Sequence, residues 1–431
     1  MTHAHIAQPW VQAWNQWIAE HLLTLQNVPA IPSQFGPIAG NDENTWKEIR
    51  NYYPKPIGIT NFNSGAVSSS PIWVEQAMVQ YYSRVNQAPS YFLWKVMEQG
   101  RELVRKGIAQ LAGVSEEEIA FTRNTTEALN TLIFGIPLQK SEEVIIAKQD
   151  YSKAVIGWRQ RALREGISLK EISLDLPQQT DEEIIQTYLK AITPQTKVVQ
   201  VTQVINWNGQ ILPYKKLVNE IKAQHPQVWV LLDGAHGFAL LDTDLSEIPC
   251  DFYVAPLHKW LHGPITSGMM MIRKSLISKI WPYASSAQPM SDAIQKFEEV
   301  SLVLTPYILA IGHALAFHWS LGRENKENRL RHLRQQLEAS LTSIPLIWRT
   351  PQEEARKCGI ILFEVHGAAI DTIESHMLHQ HQIHVGTVRW ETFQGIRLTP
   401  NIYTAPEDIT RLSLALRGYF ANVKGAVVAG V

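Results

Sequence analysis

The stretch Val228-Trp-Val-Leu-Leu-Asp233-Gly-Ala-His236, followed by Ala255-Pro-Leu-His258-Lys259-Trp-Leu-His262-Gly-Pro264, decides how this chain is read. An apolar run ends in a single acid. Further on, one lysine stands in a short polar turn between two apolar runs. A short apolar run bounded by glycine and polar residues predicts a buried strand. In open α/β sheets, ligands gather where such strands end. Leu257-His-Lys-Trp-Leu is a poor surface sequence, so Lys259 is read as a sheltered amine rather than a solvated one. Asp233 has a plainer alternative, capping the turn that follows it.

Outward from this stretch the alternation is regular. Apolar runs at 143–147, 167–174, 197–204, 228–232, 252–255 and 268–272 alternate with helical patterns at 152–166, 181–192 and 213–225. That pattern predicts a mostly parallel sheet flanked by helices on both faces. A strand at 119–121 runs into Thr122-Arg-Asn-Thr125-Thr126-Glu-Ala-Leu-Asn130, which reads as a helix start. Its exposed amides and macrodipole make an anion site, and the Thr125 and Thr126 hydroxyls suit a phosphate. A plain N-cap is the alternative. Upstream, residues 10–25 read as an amphipathic helix packed on the body, 30–56 as an ordered Pro-, Gly- and Asn-rich connection, and 72–86 and 90–112 as helices. Between them lies a small polar loop with Asn63, Ser64 and Gly65. Downstream, helices near 306–321 and 323–343 lead into a unit with strands at 359–365, 383–388 and 395–398 and helices at 369–381 and 406–420. The expected division is 1–57 as N-terminal helix and connection, 58–305 as the large domain and 306–431 as a small α+β domain.

Bulk properties narrow the class. The chain has 431 residues, 45% hydrophobic and 18% charged, with net charge −1, so neither a nucleic-acid footprint nor a membrane span is expected. Two cysteines, Cys250 and Cys358, are too few for a disulfide framework. No basic, apolar leader is visible at the N-terminus, and a cytoplasmic enzyme is expected.

The polar residues at the strand ends match the four demands of pyridoxal 5′-phosphate. Lys259 offers the amine that forms a Schiff base with the aldehyde. Asp233 offers the anion that keeps the ring nitrogen protonated. Tyr151 offers a flat cover for the ring. Thr125, Thr126 and His258 offer phosphate donors, and His236 lies within reach of the ring hydroxyl. Each has a bland counterpart: His236, His258 and Tyr151 could be core residues. His258 and His262 at i,i+4 could bind zinc if helical, but no third ligand matches and no metal is expected.

Taken with Asn206-Trp-Asn-Gly209-Gln-Ile-Leu-Pro213 and Gly395-Ile-Arg397-Leu-Thr-Pro-Asn401-Ile-Tyr403-Thr404, these motifs resemble the class V aminotransferases of pyridoxal-phosphate fold type I, over about residues 58–420. The likeness is to isopenicillin N epimerase-like and cysteine desulfurase-like members. The resemblance implies that Arg397 clamps the substrate α-carboxylate and that Asn206 lies near the ring hydroxyl. It also implies that Asn63, Ser64 and Gly65 line the substrate mouth. Thr305 falls where such proteins carry a threonine that reaches the other subunit's cofactor phosphate, which implies a homodimer. There are departures. The stretch His384–Gln394 lacks the reactive cysteine of desulfurases, and Pro256 stands where many members have a serine.

The expected function is a pyridoxal-phosphate enzyme acting at the α-carbon of an amino acid through Lys259, epimerase- or racemase-like. Epimerisation further requires a proton donor on the face opposite Lys259. The alternatives are a C–S lyase acting by β-elimination on a cysteine-derived substrate, and aminotransfer. A scaffold that has lost catalysis is the competing class, and the joint presence of Asp233, Lys259 and Arg397 argues against it.

Overall fold

A computed structural model of the chain describes residues 3–21, 31–32, 34–303, 305–344, 346–364 and 369–428. After the two-residue strand β1 (Thr60–Asn61) come the strands of the main sheet. They are β2 (Ile119–Thr122), β3 (Glu143–Ala147), β4 (Ser168–Ile172), β5 (Thr196–Thr202), β6 (Trp229–Asp233), β7 (Phe252–Pro256) and β8 (Gly268–Ile272). Their spatial order is β2-β8-β7-β6-β5-β3-β4. The pairs from β4 to β7 are parallel, and β8 runs antiparallel to both its neighbours. This is the α/β architecture expected, with a mostly parallel sheet between helices.

Period-two alternation explains why the central strands read as continuous apolar runs. Val199, Val201, Val230, Leu232, Tyr253, Ala255, Met269 and Met271 point into one core. Val198, Leu231, Phe252, Val254, Met270 and Ile272 point into the other. With both faces covered, the interiors of these strands are almost wholly apolar; buried Gln200 in β5 is an exception, its side-chain oxygen accepting from the Trp158 indole at 2.9 Å. Asp233 and Lys259 stand at or beyond strand ends.

The first core is covered by the helices Ile72–Val85, Glu98–Ala112 and Thr305–Leu321, and the second by Thr125–Gly135 and Ser152–Glu165. The Thr305–Leu321 helix, at the head of the expected small domain, packs on Ile72–Val85 and Glu98–Ala112 and is buried almost throughout. The N-terminal helix, His3–His21, also lies on this side. Trp10, Trp14 and Trp17 stack along it with ring centroids 5.6 and 5.7 Å apart, and the Trp10 indole donates to Leu103 O at 2.8 Å. The expected residues 22–25 of this helix lie outside the described chain.

The second sheet comprises β9 (Ile347–Trp348), β10 (Ile361–Glu364), β12 (Gly386–Arg389) and β13 (Gln394–Leu398), antiparallel in the order β12-β13-β10-β9. Helices Arg323–Ser340, Ile370–His381 and Pro406–Val428 close its core. Two expectations are corrected. The run 383–388 is not one strand. It divides at Val385, because β11 (Ile383–His384) pairs in parallel with β1 while Gly386 onward pairs with β13. The connection over 30–56 contains a helix, Glu43–Arg50, capped by Asp42 and anchored by buried Trp46 and Ile49. β1 and β11 form a separate two-stranded sheet, and a bridge from Asn63 to Thr399 ties the start of the next loop to the residue after β13.

Candidate active site

One cavity of about 350 Å³ opens at the C-terminal edge of the main sheet. Its walls include Gly65, Thr125, Thr126, Tyr151, Asn206, Asp233, His236, His258, Lys259 and Arg397. Parallel strands deliver all their C-terminal ends to one edge, so residues far apart in sequence meet there. Asp233 ends β6, paired with Val254 of β7, and Lys259 follows three residues after β7 ends at Pro256.

The electrostatics of the floor are those of an incomplete charge set. Burial pushes the Asp233 carboxyl up to about 6, against the Ala235 amide and Lys259, which both favour ionisation. Asp233 Oδ1 accepts from Ala235 N at 2.9 Å, so the acid does cap its own turn while its cavity side stays available. A second buried carboxyl, Asp150, accepts from Thr202 Oγ1 at 2.6 Å and from Ala147 N at 3.0 Å. Burial pushes it up to about 7, with Asp233 adding to the rise. Two sheltered carboxyls thus lack a full counter-charge. A protonated pyridine nitrogen beside Asp233 would supply one.

Lys259 is pressed the other way. Burial, together with the nearby Arg397 guanidinium, pulls its amine down to about 8, and Asp233 only partly offsets this. That lowers the cost of the neutral amine that nucleophilic attack requires. Lys259 Nζ lies 3.2 Å from His236 Nε2, and the Trp260 indole donates to His236 Nδ1 at 3.3 Å. Burial, then Lys259 and Arg397, hold the His236 imidazole well below its ordinary range.

The expected phosphate site lies at the start of the helix Thr125–Gly135. Asn124 is its N-cap, accepting from Glu127 N at 2.9 Å. The plain cap is therefore filled by Asn124, and Thr125 is spare. The Thr125 Oγ1 is buried without a hydrogen-bond partner among the described residues, which is costly unless a ligand engages it. His258 Nδ1 donates to Ser267 O at 2.8 Å. Donation to a phosphate would then need a proton on its other ring nitrogen as well, against the downward pull of burial.

Arg397 closes the opposite side. Its Nη1 donates to Asn206 O at 2.9 Å and its Nη2 to Asn63 Oδ1 at 2.7 Å, while its Nε is buried and unpartnered. Among the described residues no carboxylate pairs with it, and burial pulls it down to about 10. A guanidinium sheltered without an anion is a ready receptor for one.

Not every candidate lines the cavity. Gly65 does, but Asn63 acts through Arg397, and Ser64 faces Tyr403, with the two hydroxyls 3.2 Å apart. Thr305 begins its helix, buried, with Oγ1 3.5 Å from Val303 O, and is not among the cavity walls. His262 spends its ring on Tyr53 Oη at 2.7 Å and Asn401 Oδ1 at 3.0 Å. Thr202, Val204 and Asn124 line the cavity without having been singled out. Thr202 stands at the end of β5, where the same strand-end rule points.

The sequence profile of the family described as Aminotransferase class-V matches residues 60–412. The chain belongs to the class-V aminotransferase family. It is a pyridoxal-phosphate-dependent enzyme, and the cavity's donor set fits that cofactor. The isopenicillin N epimerase of Streptomyces clavuligerus is 24% identical over 390 residues, covering 86% of this chain and 97% of that protein. A probable cysteine desulfurase of Halalkalibacterium halodurans is 27% identical over 390 residues, covering 84% and 94%. The cystine C–S lyase C-DES, solved with its product cysteine persulfide, shares the fold with TM-score 0.75 at 20% identity, over 83% of this chain and 97% of that one. The cysteine desulfurase CsdA from Escherichia coli does so with TM-score 0.76 at 20% identity, over 87% and 98%.

Proposed function

We propose that this class-V enzyme acts at the α-carbon of an amino acid and inverts the configuration there, as an epimerase or racemase. The observation that carries the reading is Arg397, a buried guanidinium without a carboxylate partner among the described residues, opening on the cavity that holds Lys259. Pyridoxal phosphate, when bound, supplies an electron sink for the pair left at carbon as the α-proton departs. Asp233 would hold its ring nitrogen, Thr125 and Thr126 its phosphate, and Tyr151 its face. Arg397 receives the α-carboxylate and so fixes which bond at the α-carbon points toward Lys259. Lys259 Nζ takes the α-proton, and inversion is complete only when a second donor returns a proton to the carbon on the opposite face.

The relatives named isopenicillin N epimerase support inversion, while relatives named cysteine desulfurase, alike over a similar share of their length, are compatible with carbon–sulfur chemistry. A thiol-based sulfur transfer has no support. Cys250 and Cys358 are buried, and burial pushes them up to about 12 and 11. Cys358 is engaged with Gly209 O at 3.1 Å. The turn between β12 and β13, where a desulfurase nucleophile is expected, is closed by Trp390 N donating to Phe393 O at 2.9 Å. β-Elimination from a cysteine-derived substrate needs no such thiol and is the second reading, with aminotransfer third.

Incubation with L- and D-amino acids decides between them. Stereochemical scrambling without release of pyruvate and ammonia supports inversion. Release supports the lyase, and accumulation of a keto acid with the pyridoxamine form supports aminotransfer. Loss of borohydride-fixed cofactor in Lys259→Ala tests the anchoring amine itself.

The working unit is read as a homodimer. Ile265, Trp281, Tyr283, Met290, Val300 and Leu302 are large, apolar and exposed on the stretch that leads to Thr305, and such residues favour a covering surface. Sedimentation at micromolar concentration tests this. Two free, buried thiols suit a reducing compartment such as the cytoplasm.

A further inference from the structure

We propose that Trp260 is a positioning residue that fixes the tautomer of His236 and thereby favours the neutral amine of Lys259 over its ammonium before the cofactor arrives. The inference deepens the reading of Lys259 as the anchoring amine and rests on it. Trp260 is fully buried, and its indole N–H donates to His236 Nδ1 at 3.3 Å. An indole nitrogen can only donate, so His236 Nδ1 must present its lone pair. A neutral imidazole carries one N–H, which is then left on Nε2. That N–H faces Lys259 Nζ at 3.2 Å.

Two donors cannot satisfy one hydrogen bond. With Nε2 protonated, the lysine nitrogen must accept, which only the unprotonated amine does. An ammonium would require His236 to present Nε2 bare and carry its proton on Nδ1, against the indole. An imidazolium would meet the same obstruction. The indole therefore disfavours a proton on either partner. Trp260 is itself locked from behind, because the buried Lys326 Nζ donates to Trp260 O at 2.5 Å and lies 2.9 Å from His318 Nδ1. The charged or titratable groups facing the pair are Asp233 on β6, Arg397 on β13, His258 on the same turn and Tyr151 across the cavity. Of these, Arg397 also opposes a proton on Lys259, and Asp233 favours one. Both remain in a Trp260 variant, so the indole's part can be isolated.

The test uses the full-length apoprotein and its Trp260→Phe variant. Capture of added pyridoxal phosphate, followed by absorbance, is measured against pH. The wild type should show a midpoint near 8. Trp260→Phe should move it upward by about one pH unit, which makes capture roughly tenfold slower at pH 7. A packing role alone would change the melting temperature or the amount of active protein and leave the midpoint in place. A folded Trp260→Phe with an unchanged midpoint overturns the proposal. The second measurement needs neither the variant nor the cofactor. In ¹⁵N-histidine-labelled apoprotein above pH 8, where Lys259 is neutral, His236, assigned through His236→Gln, should carry its proton on Nε2. A proton on Nδ1 overturns the proposal. Failure of the wild type to capture pyridoxal phosphate at any pH would instead strike the anchoring role of Lys259, and the tautomer measurement would still decide the role of Trp260.

Discussion

Arg397 donates through Nη2 to Asn63 Oδ1 at 2.7 Å, although 334 positions separate them in the chain. The same guanidinium reaches Asn206 O through Nη1. Strand β13, the loop after β1 and the exit of β5 thus converge on one cation. Both acceptors are neutral, so its charge is oriented without being cancelled.

Arg397→Lys keeps a charge but loses the planar fork. It should lower kcat/KM for amino acids by about 100-fold, mostly through KM, since a charge-assisted hydrogen bond is worth about 1.5–3 kcal/mol. The cofactor's absorbance should stay as in the wild type. Steady-state kinetics beside a spectrum of the resting enzyme checks both.

Gly386→Ala should give a milder version of the same defect. A Cβ there would lie 2.9 Å from Asn63 Oδ1 and 3.3 Å from Arg397 Nε, so the pair must shift. A misplaced receptor costs orientation, and a rise in KM of about tenfold is expected. Cofactor binding, which Gly386 does not touch, should be unaltered, and equilibrium dialysis would detect any change.

Thr125→Val removes a buried hydroxyl that has no partner among the described residues. Cofactor affinity should fall by about tenfold as one phosphate donor is lost. The apoprotein should be no less stable, because an unsatisfied polar group has been replaced by an apolar one. Titration calorimetry and apoprotein melting separate the two effects, and a loss of apoprotein stability would show that the hydroxyl is internally satisfied.

Asp233→Asn should stabilise the apoprotein in a pH-dependent way. The Asp233 carboxyl is raised from 3.8 to about 6, so its ionised form is disfavoured in the folded state. Well below pH 3.8 the acid is neutral in both states and the substitution should change little. The gain should grow between pH 4 and 6 and level off at about 2–3 kcal/mol above that. The same variant should lose catalysis, because an amide cannot keep a ring nitrogen protonated. Denaturant melts at pH 4 and pH 7 give the comparison, and equal effects at both would contradict it.

The order of elements is written locally, because alternating faces and helical spacing come from near neighbours in sequence. The residues gathered in the cavity share one property that sequence displays: Thr125, Tyr151, Asn206, Asp233 and Lys259 each follow or end an apolar run. What pairing at a distance decides is not displayed. The break at Val385 depends on β1, more than 300 residues earlier. The helix Glu43–Arg50 is hidden by its Pro- and Gly-rich flanks, although Asp42 and the Trp46–Ile49 spacing mark it. The contact of Trp260 with His236 crosses from one strand end to the next, and no spacing rule announces it.

The reversed strand β8 has an effect on where the ligand's two ends can be held. It stands between β2 and β7 and opposes both, so those two agree in direction, and Thr122 and Pro256 finish level with each other on either side of Gly268. The anion-binding turn after β2 and the lysine turn after β7 are thereby hung from a common lintel. Its centre must be bare. A methyl group at position 268 would sit 2.8 Å from Thr122 Oγ1 and 2.9 Å from the Asn124 backbone, prising the turn away. The separation between the turn proposed to hold the phosphate and the turn proposed to hold the aldehyde is set by one strand's width and a residue with no side chain.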